Sequence, residues 1–223
     1  MRSVVCGDVI EKVWGKEIVN ENNELFCSKQ LVLNKGAFCS LHCHKTKMEN
    51  FALVRGHVRL EVDAEIIDMR PGVAKTIFPG QYHRFAGYMD SLIFEASTYH
   101  SEEDVFRKEE SSLAPLLLGV DVDGTLVNAG GVVGAEHLRK HDFVIVSSRS
   151  RQDSIAICRE LGIVPSAVIN SRILSKTEEL RCVDRLYPLR RTVYIGDQES
   201  DRSSAERAGW QFMNPAEFIK LEL

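Results

Sequence analysis

The feature that most limits the fold of this chain is a change in hydrophobic pattern partway along its 223 residues. In the first half, apolar runs are short, and His57-Val58-Arg59-Leu60-Glu61-Val62 alternates polar and apolar side chains. In the second half the runs are continuous, as in 116–120 and 143–146. Alternation predicts strands with one buried face, whereas continuous runs separated by helical segments predict a parallel sheet buried on both faces. The chain is therefore predicted to contain two domains.

Turn signals divide the first half into short strands. They are Asn34-Lys35-Gly36, Arg55-Gly56, Arg70-Pro71-Gly72 and Phe78-Pro79-Gly80. Strands spaced about 8–12 residues apart in this way are typical of an all-β barrel or sandwich. The charged segment 101–112 is predicted to be a short helix or a solvated linker. We place the domains at 1–112 and 113–223, with a small doubly wound α/β domain second.

Composition excludes several classes of protein. Hydrophobic residues make up 44% and charged residues 27%, which excludes a mainly disordered chain. The formal net charge of −4 excludes nucleic-acid binding driven by bulk positive charge. No apolar run is long enough to span a bilayer, so no membrane partner is expected. The six cysteines, Cys6 among them, lack CxxC spacing and are predicted to be free thiols in a reducing compartment, the cytoplasm.

The first half carries a cluster of metal-binding residue types. Its pattern is Gly36-x5-His42-x-His44-x4-Glu49-x6-Gly56, and His83 follows a later turn. Residues two apart on a strand point to the same side, so His42 and His44 are expected to face one interior, joined by Glu49 and His83. Three imidazoles and a carboxylate predict a site for a divalent transition metal such as Zn, Mn, Fe or Ni. The remaining histidines are predicted to be ordinary surface residues: His57, His100, His137 and His141.

This pattern resembles the first motif of the cupin family, and Gly72, Gly80 and His83 resemble its second motif. The second motif departs from the family at Pro79 and Gly87. Several segments look like the mannose-6-phosphate isomerase-type cupins, namely 13–17, 82–84, 95–98 and 103–105. The resemblance covers most of residues 9–108. It implies a double-stranded β-helix barrel with a metal-binding site, and a domain that binds or isomerises a sugar.

The second half places carboxylates, a hydroxyl and a lysine after its apolar runs. In order, they are Asp121 and Asp123 before Gly124, then Ser147, Lys176, Asp197 and Asp201. Functional groups in an open α/β sheet collect at the carboxyl ends of the strands. Carboxylate oxygens suit Mg²⁺, and a carboxylate can form a covalent aspartyl-phosphate. The set predicts magnesium-dependent phosphoryl transfer.

Residues 116–218 resemble the haloacid dehalogenase superfamily, with Asp121-x-Asp123-Gly124-Thr125 as its phosphotransferase motif. The resemblance implies a Rossmann-like parallel sheet with Asp121 as nucleophile and Mg²⁺ ligand, and Asp123 as general acid/base with its carbonyl on the metal. It also implies phosphate binding by Ser147 rather than Ser148, a steadying role for Lys176, and Mg²⁺ coordination by Asp197 with Asp201 behind it. Only 23 residues separate Asp123 from Ser147 and 28 separate Ser147 from Lys176, so a capless, open site is expected.

The leading hypothesis is a phosphoric monoester hydrolase that acts on a small phosphorylated metabolite, a sugar phosphate. The fused cupin would bind or isomerise a related sugar. The alternative is that the cupin is a non-catalytic sensing or assembly module and the open site acts on a nucleic-acid end or a polysaccharide phosphate. The net charge disfavours nucleic acid, but five arginines could form a patch near the site: Arg149, Arg151, Arg172, Arg190 and Arg191. A homo-oligomer is expected by analogy with both families.

Overall fold

Two units make up the chain in the computed structural model, which describes residues 7–128, 133–171 and 173–222. They span Met1–Ala114 and Pro115–Leu223. Cys6 and Arg172, both named above, lie outside the described residues. The other five cysteines are free thiols.

The first unit is built from antiparallel strands, as its alternating pattern predicts. They are β1 (Asp8–Lys12), β2 (Gly15–Asn22), β3 (Cys27–Leu33), β4 (Ala37–Phe38), β5 (Leu41–Cys43), β6 (Glu49–Arg55), β7 (Val58–Val62), β8 (Glu65–Met69), β9 (Ala74–Ile77), β10 (His83–Gly87), β11 (Ser91–Ser97), β12 (Phe106–Glu109) and β13 (Ser112–Leu113). One sheet has the order β1-β2-β3-β11-β6-β9, and the other has β12-β5-β10-β4-β13 with β7 and β8 attached through β10. The sheets enclose one core, to which Leu33, Phe51, Leu60 and Ile93 contribute.

The prediction of a helix or linker over 101–112 is wrong for most of that segment. Only a single 3-10 turn, Glu102–Asp104, is helical. Strand β12 pairs with β5, and β13 pairs with β4, so this charged segment belongs to the second sheet of the first unit. Its side chains are mostly exposed because both strands lie at sheet edges, which explains why its composition resembles that of a linker.

The second unit is a parallel α/β layer structure. Its elements are β14 (Leu116–Val120), α1 (Ala135–Leu138), β15 (Asp142–Val146), α2 (Arg151–Glu160), β16 (Ala167–Ile169), α3 (Lys176–Leu186), β17 (Arg191–Ile195), α4 (Glu199–Ala208), β18 (Gln211–Met213) and α5 (Pro215–Glu222). All neighbours in the order β16-β15-β14-β17-β18 are parallel. Separate apolar clusters form around Leu118 and around Leu117, on alternate residues of β14, so both faces of the sheet are buried. The hydrophobic pattern did not predict the short strand β18.

Short connections leave no room for a cap domain among the described residues of the second unit. Between Asp123 and Ser147 those residues form only α1 and β15, and between Ser147 and Lys176 they form only α2 and β16. None of the described helices is long and apolar enough to cross a membrane.

Candidate functional site

Three histidines of the first unit meet where β5 and β10 pair. His42 lies in β5, His44 follows it, and His83 begins β10 opposite His42. The ring centroids are 5.1 Å apart for His42 and His44, 4.5 Å for His42 and His83, and 5.9 Å for His44 and His83. One ring nitrogen from each lies within 4.8 Å of the others, which is close enough for all three to share one metal ion.

The carboxylate of Glu49 joins this imidazole cluster. Glu49 Oε2 lies 3.0 Å from Nε2 of His83, and Oε1 lies 3.5 Å from Nε2 of His44. Although these atoms are close, Nε2 of both rings and Oε2 of Glu49 are buried and make no hydrogen bond of acceptable geometry with the described residues. Buried polar atoms without a partner are rare, and an ion is one of the usual reasons for them. The residues therefore fit a divalent metal.

Backbone carbonyls set the orientation of all three rings. Each histidine donates a hydrogen bond from Nδ1 to a carbonyl oxygen, which leaves Nε2 free to act as a ligand. These bonds are 3.0 Å for His42 to Ser40, 3.0 Å for His44 to Asp104 and 3.1 Å for His83 to Gln81. The carboxylate of Asp104 also accepts the backbone N–H groups of 45–47, which ties the 3-10 turn to the loop beside His44.

Electrostatics in the imidazole cluster favour the protonation states that metal ligands need. Burial and the neighbouring His83 lower the pKa of His42 to about 4, so its imidazole is neutral at pH 7. Burial alone would raise the pKa of Glu49, but His44, His83 and the charge of Lys47 outweigh it and lower that pKa. A neutral imidazole and an ionised carboxylate can bind a cation without first losing a proton.

A cavity of about 530 Å³ opens beside the cluster, and the sequence reading missed several residues that line it. Lys29, Lys47 and Glu95 are almost fully buried there. His100, predicted to be an ordinary surface residue, is half-buried, lines the same cavity and lies 6.4 Å from the ring of His44. The sequence did contain a signal for the buried charges. Lys29 in β3 and Glu95 in β11 occupy positions of alternating strands that lie two residues from an apolar, buried side chain.

The second unit gathers three carboxylates at the carboxyl end of its sheet. Asp121 follows β14, Asp197 follows β17, and Asp201 lies in the first turn of α4. One oxygen from each lies within 4.8 Å of the others, and Asp121 and Asp201 are buried. Chain direction explains the gathering, because parallel strands end at the same edge. Oxygen donors at this spacing suit Mg²⁺.

Lys176 and Tyr194 complete this acidic cluster. Helix α3 begins at Lys176 behind the N-cap Ser175, and Lys176 Nζ lies 2.5 Å from Asp201 Oδ1 and 3.3 Å from Asp121 Oδ1. Burial would lower the pKa of Lys176, but the two carboxylates outweigh it and raise that pKa, so the ammonium stays charged. Burial raises the pKa of Asp121. Tyr194, which the sequence reading did not single out, donates a 2.7 Å hydrogen bond to the carbonyl of Val146 beside the cluster.

Two glycines allow the backbone to approach these carboxylates. Gly124 has a φ of 73°, and a Cβ atom there would collide with the carboxylate of Asp197. A Cβ atom at Gly196 would collide with the carboxylate of Asp201. The sharp turn expected after Asp123 is therefore present, and glycine also leaves the space that the acidic cluster occupies.

Asp123 lies beside the acidic cluster but is held by Arg149. Arg149 Nε donates to Asp123 Oδ2 at 2.7 Å, and its terminal nitrogen donates to Oδ1 at 2.6 Å. These hydrogen bonds lower the pKa of Asp123. Ser147 is buried, with Oγ accepting from the backbone N–H of Arg149, whereas Ser148 lines the cavity of about 250 Å³ at this site.

The proposed arginine patch near this site is wrong for two of its members. Arg190 donates to the carbonyls of 115 and 116 and pairs with Asp142, while Arg191 begins β17. These positions mark the amino ends of the strands, the edge opposite Asp121. Arg149 binds Asp123, which lies beside the acidic cluster.

The chain matches no protein-family model and no curated protein. Among solved structures it is similar to KdgF from a Halomonas species, with 17% identity over 40% of this chain and 81% of that chain, and a TM-score of 0.38. An RmlC-like cupin from Shewanella frigidimarina has 16% identity over 44% of this chain and 87% of its own, with a TM-score of 0.41. Oxalate decarboxylase from Bacillus subtilis has 20% identity over 46% of this chain and 30% of its own, with a TM-score of 0.41.

Proposed function

We propose that the second unit is a magnesium-dependent phosphatase that acts on a small phosphorylated metabolite, a sugar phosphate. The observation that carries the proposal is the convergence of Asp121, Asp197 and Asp201 with the ammonium of Lys176 at one end of the sheet. Carboxylates that only capped strands and helices would not need a partly buried lysine between them. Bound Mg²⁺ would supply positive charge to offset the charge on the phosphoryl oxygens.

In the proposed reaction, Asp121 is the nucleophile. A carboxylate oxygen of Asp121 forms a bond to phosphorus as the ester P–O bond breaks, and Asp123 gives a proton to the departing oxygen. Asp123 then takes a proton from water as the water oxygen bonds to phosphorus and the bond to Asp121 breaks. Inorganic phosphate and the free hydroxyl compound leave. Throughout the reaction, the ammonium of Lys176 holds the carboxylate of Asp121 in place and offsets its negative charge.

The ion pair between Asp123 and Arg149 has a consequence for this reaction. A carboxyl group clamped by two hydrogen bonds from a guanidinium stays ionised, since the clamp lowers its pKa, and it then holds no proton to transfer. Arg149 must therefore change partners before Asp123 can transfer a proton. The incoming phosphate is a suitable second partner, because guanidinium binds phosphate and carboxylate in the same two-point geometry.

The test is phosphate release from a panel of sugar phosphates, nucleotides and phosphorylated oligomers. We expect Mg²⁺-dependent release by the wild type and a loss of at least about 1,000-fold in Asp121→Asn, because the variant lacks the nucleophilic oxygen. Asp142→Asn is the matched control, since Asp142 lies at the opposite edge of the sheet and should leave the rate unchanged. Equal rates for Asp121→Asn and the wild type would refute the assignment.

A second function is supported by the unpartnered ligand atoms of the first unit. We propose that His42, His44, His83 and Glu49 bind a divalent transition metal such as Zn, Mn, Fe or Ni, and that this unit binds or isomerises a sugar. Metal analysis and isomerase assays on the wild type and on His42→Ala test this. If the metal is bound but no turnover is found, the unit is a sensing or assembly module, and activity on phosphorylated oligomers would then support a polymer-end substrate for the phosphatase.

A further inference from the structure

The cavity beside the imidazole cluster contains buried cations, and each of the deep ones is paired with carboxylates. Lys47 Nζ lies 2.6 Å from Glu49 Oε1 and 2.6 Å from Glu95 Oε1, with all three side chains 4% exposed or less. Lys29 Nζ lies 3.1 Å from Glu17 Oε2 and is also 4% exposed. The charge of every deep cation is therefore already matched inside the protein.

The outer cations of the cavity are also paired with carboxylates, but their side chains are more exposed than those of the deep pairs. Lys12 lies 3.5 Å from Glu17, and Arg107 lies 3.2 Å from Glu102. Six carboxylates and four cations among the described residues line the cavity. With the histidines counted as neutral, one divalent ion at the imidazole cluster would bring the formal charge of the lining to zero.

This pairing selects against a phosphate group. A phosphate dianion needs cations that can turn toward it. The deep cations, Lys29 and Lys47, can do so only by breaking ion pairs in which the lysine side chain is 4% exposed or less. Breaking a buried ion pair in this way is strongly unfavourable. A hydroxyl group has no such requirement, because it can donate to a carboxylate and accept from an ammonium while the pair stays intact.

We propose that the cavity of the first unit takes a neutral polyhydroxylated ligand, a free sugar with its oxygens toward the imidazole cluster, and discriminates against the phosphate ester of the same sugar. The inference rests on the second function proposed above and specifies its substrate class. A free sugar is also the class of product that the proposed phosphatase releases, so the two units would handle successive forms of one compound.

The first experiment compares free sugars with their phosphate esters on the full chain. We use the Asp121→Asn background to prevent hydrolysis, measure the metal content, and titrate a panel of aldoses, ketoses and their phosphates by calorimetry. Only binding that is lost in the additional variant His83→Ala is assigned to the cavity, which separates it from binding at the second unit. We expect a free sugar to bind at least about tenfold more tightly there than its phosphate.

The second experiment releases a cation without changing side-chain size. Glu17→Gln leaves Lys29 and Lys12 without their carboxylate partner, so we expect the phosphate ester to gain at least about tenfold in affinity while the free sugar changes by less than about threefold. Glu11→Gln is the control, because it removes the same charge from the cavity lining without breaking an ion pair found among the described residues.

Three results would overturn the inference alone, provided that metal is bound. They are equal or tighter cavity binding of the phosphate ester, no binding of any free sugar in the panel, and identical behaviour of Glu17→Gln and Glu11→Gln. A protein that binds no metal would refute the proposed metal centre, and this inference with it.

Discussion

Removal and return of a transition metal should change the thermal stability of the first unit. Nε2 of His44, Nε2 of His83 and Oε2 of Glu49 are buried and have no hydrogen-bond partner among the described residues. The ligands are already assembled in the folded chain and are dispersed in the unfolded chain. Metal therefore binds the folded state preferentially and raises its stability by mass action.

The expected size of this effect follows from the size of the unit. At a free metal concentration of 100 times Kd the stabilisation is about 2.7 kcal/mol. For the unit Met1–Ala114, an unfolding entropy of about 2.1 cal/mol/K per residue amounts to about 240 cal/mol/K. Dividing the two gives a rise in Tm of about 11 °C, well above the error of a calorimetric scan.

Differential scanning calorimetry of the chelator-treated protein, with and without added Zn²⁺ or Mn²⁺, measures this shift. Mg²⁺ is kept constant in all scans so that the acidic cluster of the second unit contributes equally. The shift should disappear in His83→Ala and remain in His57→Ala, since His57 is paired with Asp68 away from the imidazole cluster. An unchanged Tm in the wild type, or an equal rise in His83→Ala, would refute the metal site.

Three further predictions concern single residues. Gly124→Ala places a methyl group against Asp197 at a φ of 73°, so we expect a loss of about 1–3 kcal/mol in denaturant unfolding and of at least about tenfold in phosphate release. Arg149→Ala should raise KM for the phosphate ester by about tenfold or more with a smaller change in kcat; an unchanged KM would limit Arg149 to holding Asp123. Burial raises the pKa of Cys39 to about 12, so about one thiol in 10,000 is ionised at pH 8, rising tenfold per pH unit; a thiol reagent should modify Cys39 only on unfolding, and rapid labelling of the native protein would contradict this.

Local pattern was sufficient for most of the secondary structure. The alternation in 57–62 corresponds to β7, and the continuous runs correspond to β14, β15 and β17, because burial on one face or on both leaves different periodicities in a strand. The pattern was insufficient for 101–112. An edge strand buries too little to leave an apolar signature, and its pairing with β5 depends on residues about sixty positions earlier in the chain.

For the site residues too, local spacing predicted some features, and others depended on the tertiary structure. The spacing of the motifs around His42 and Asp121 was enough to predict candidate ligands. Side chains two apart on a strand share one face, and residues that follow parallel strands share one edge of the sheet. The pairing of Lys47 with Glu95 and of Arg149 with Asp123 depends on contacts across sheets and loops, which no local spacing contains.

The amino-acid sequence thus predicted which residue types could act as ligands, whereas the charge environment of each site depended on the folded chain. Electrostatic energy depends on distance and burial, so a lysine or arginine has a definite role only once its neighbours are known in space. The motifs point to metal and phosphate chemistry. The three-dimensional arrangement of Lys29, Lys47 and Arg149 is the basis for proposing which ligand each site accepts.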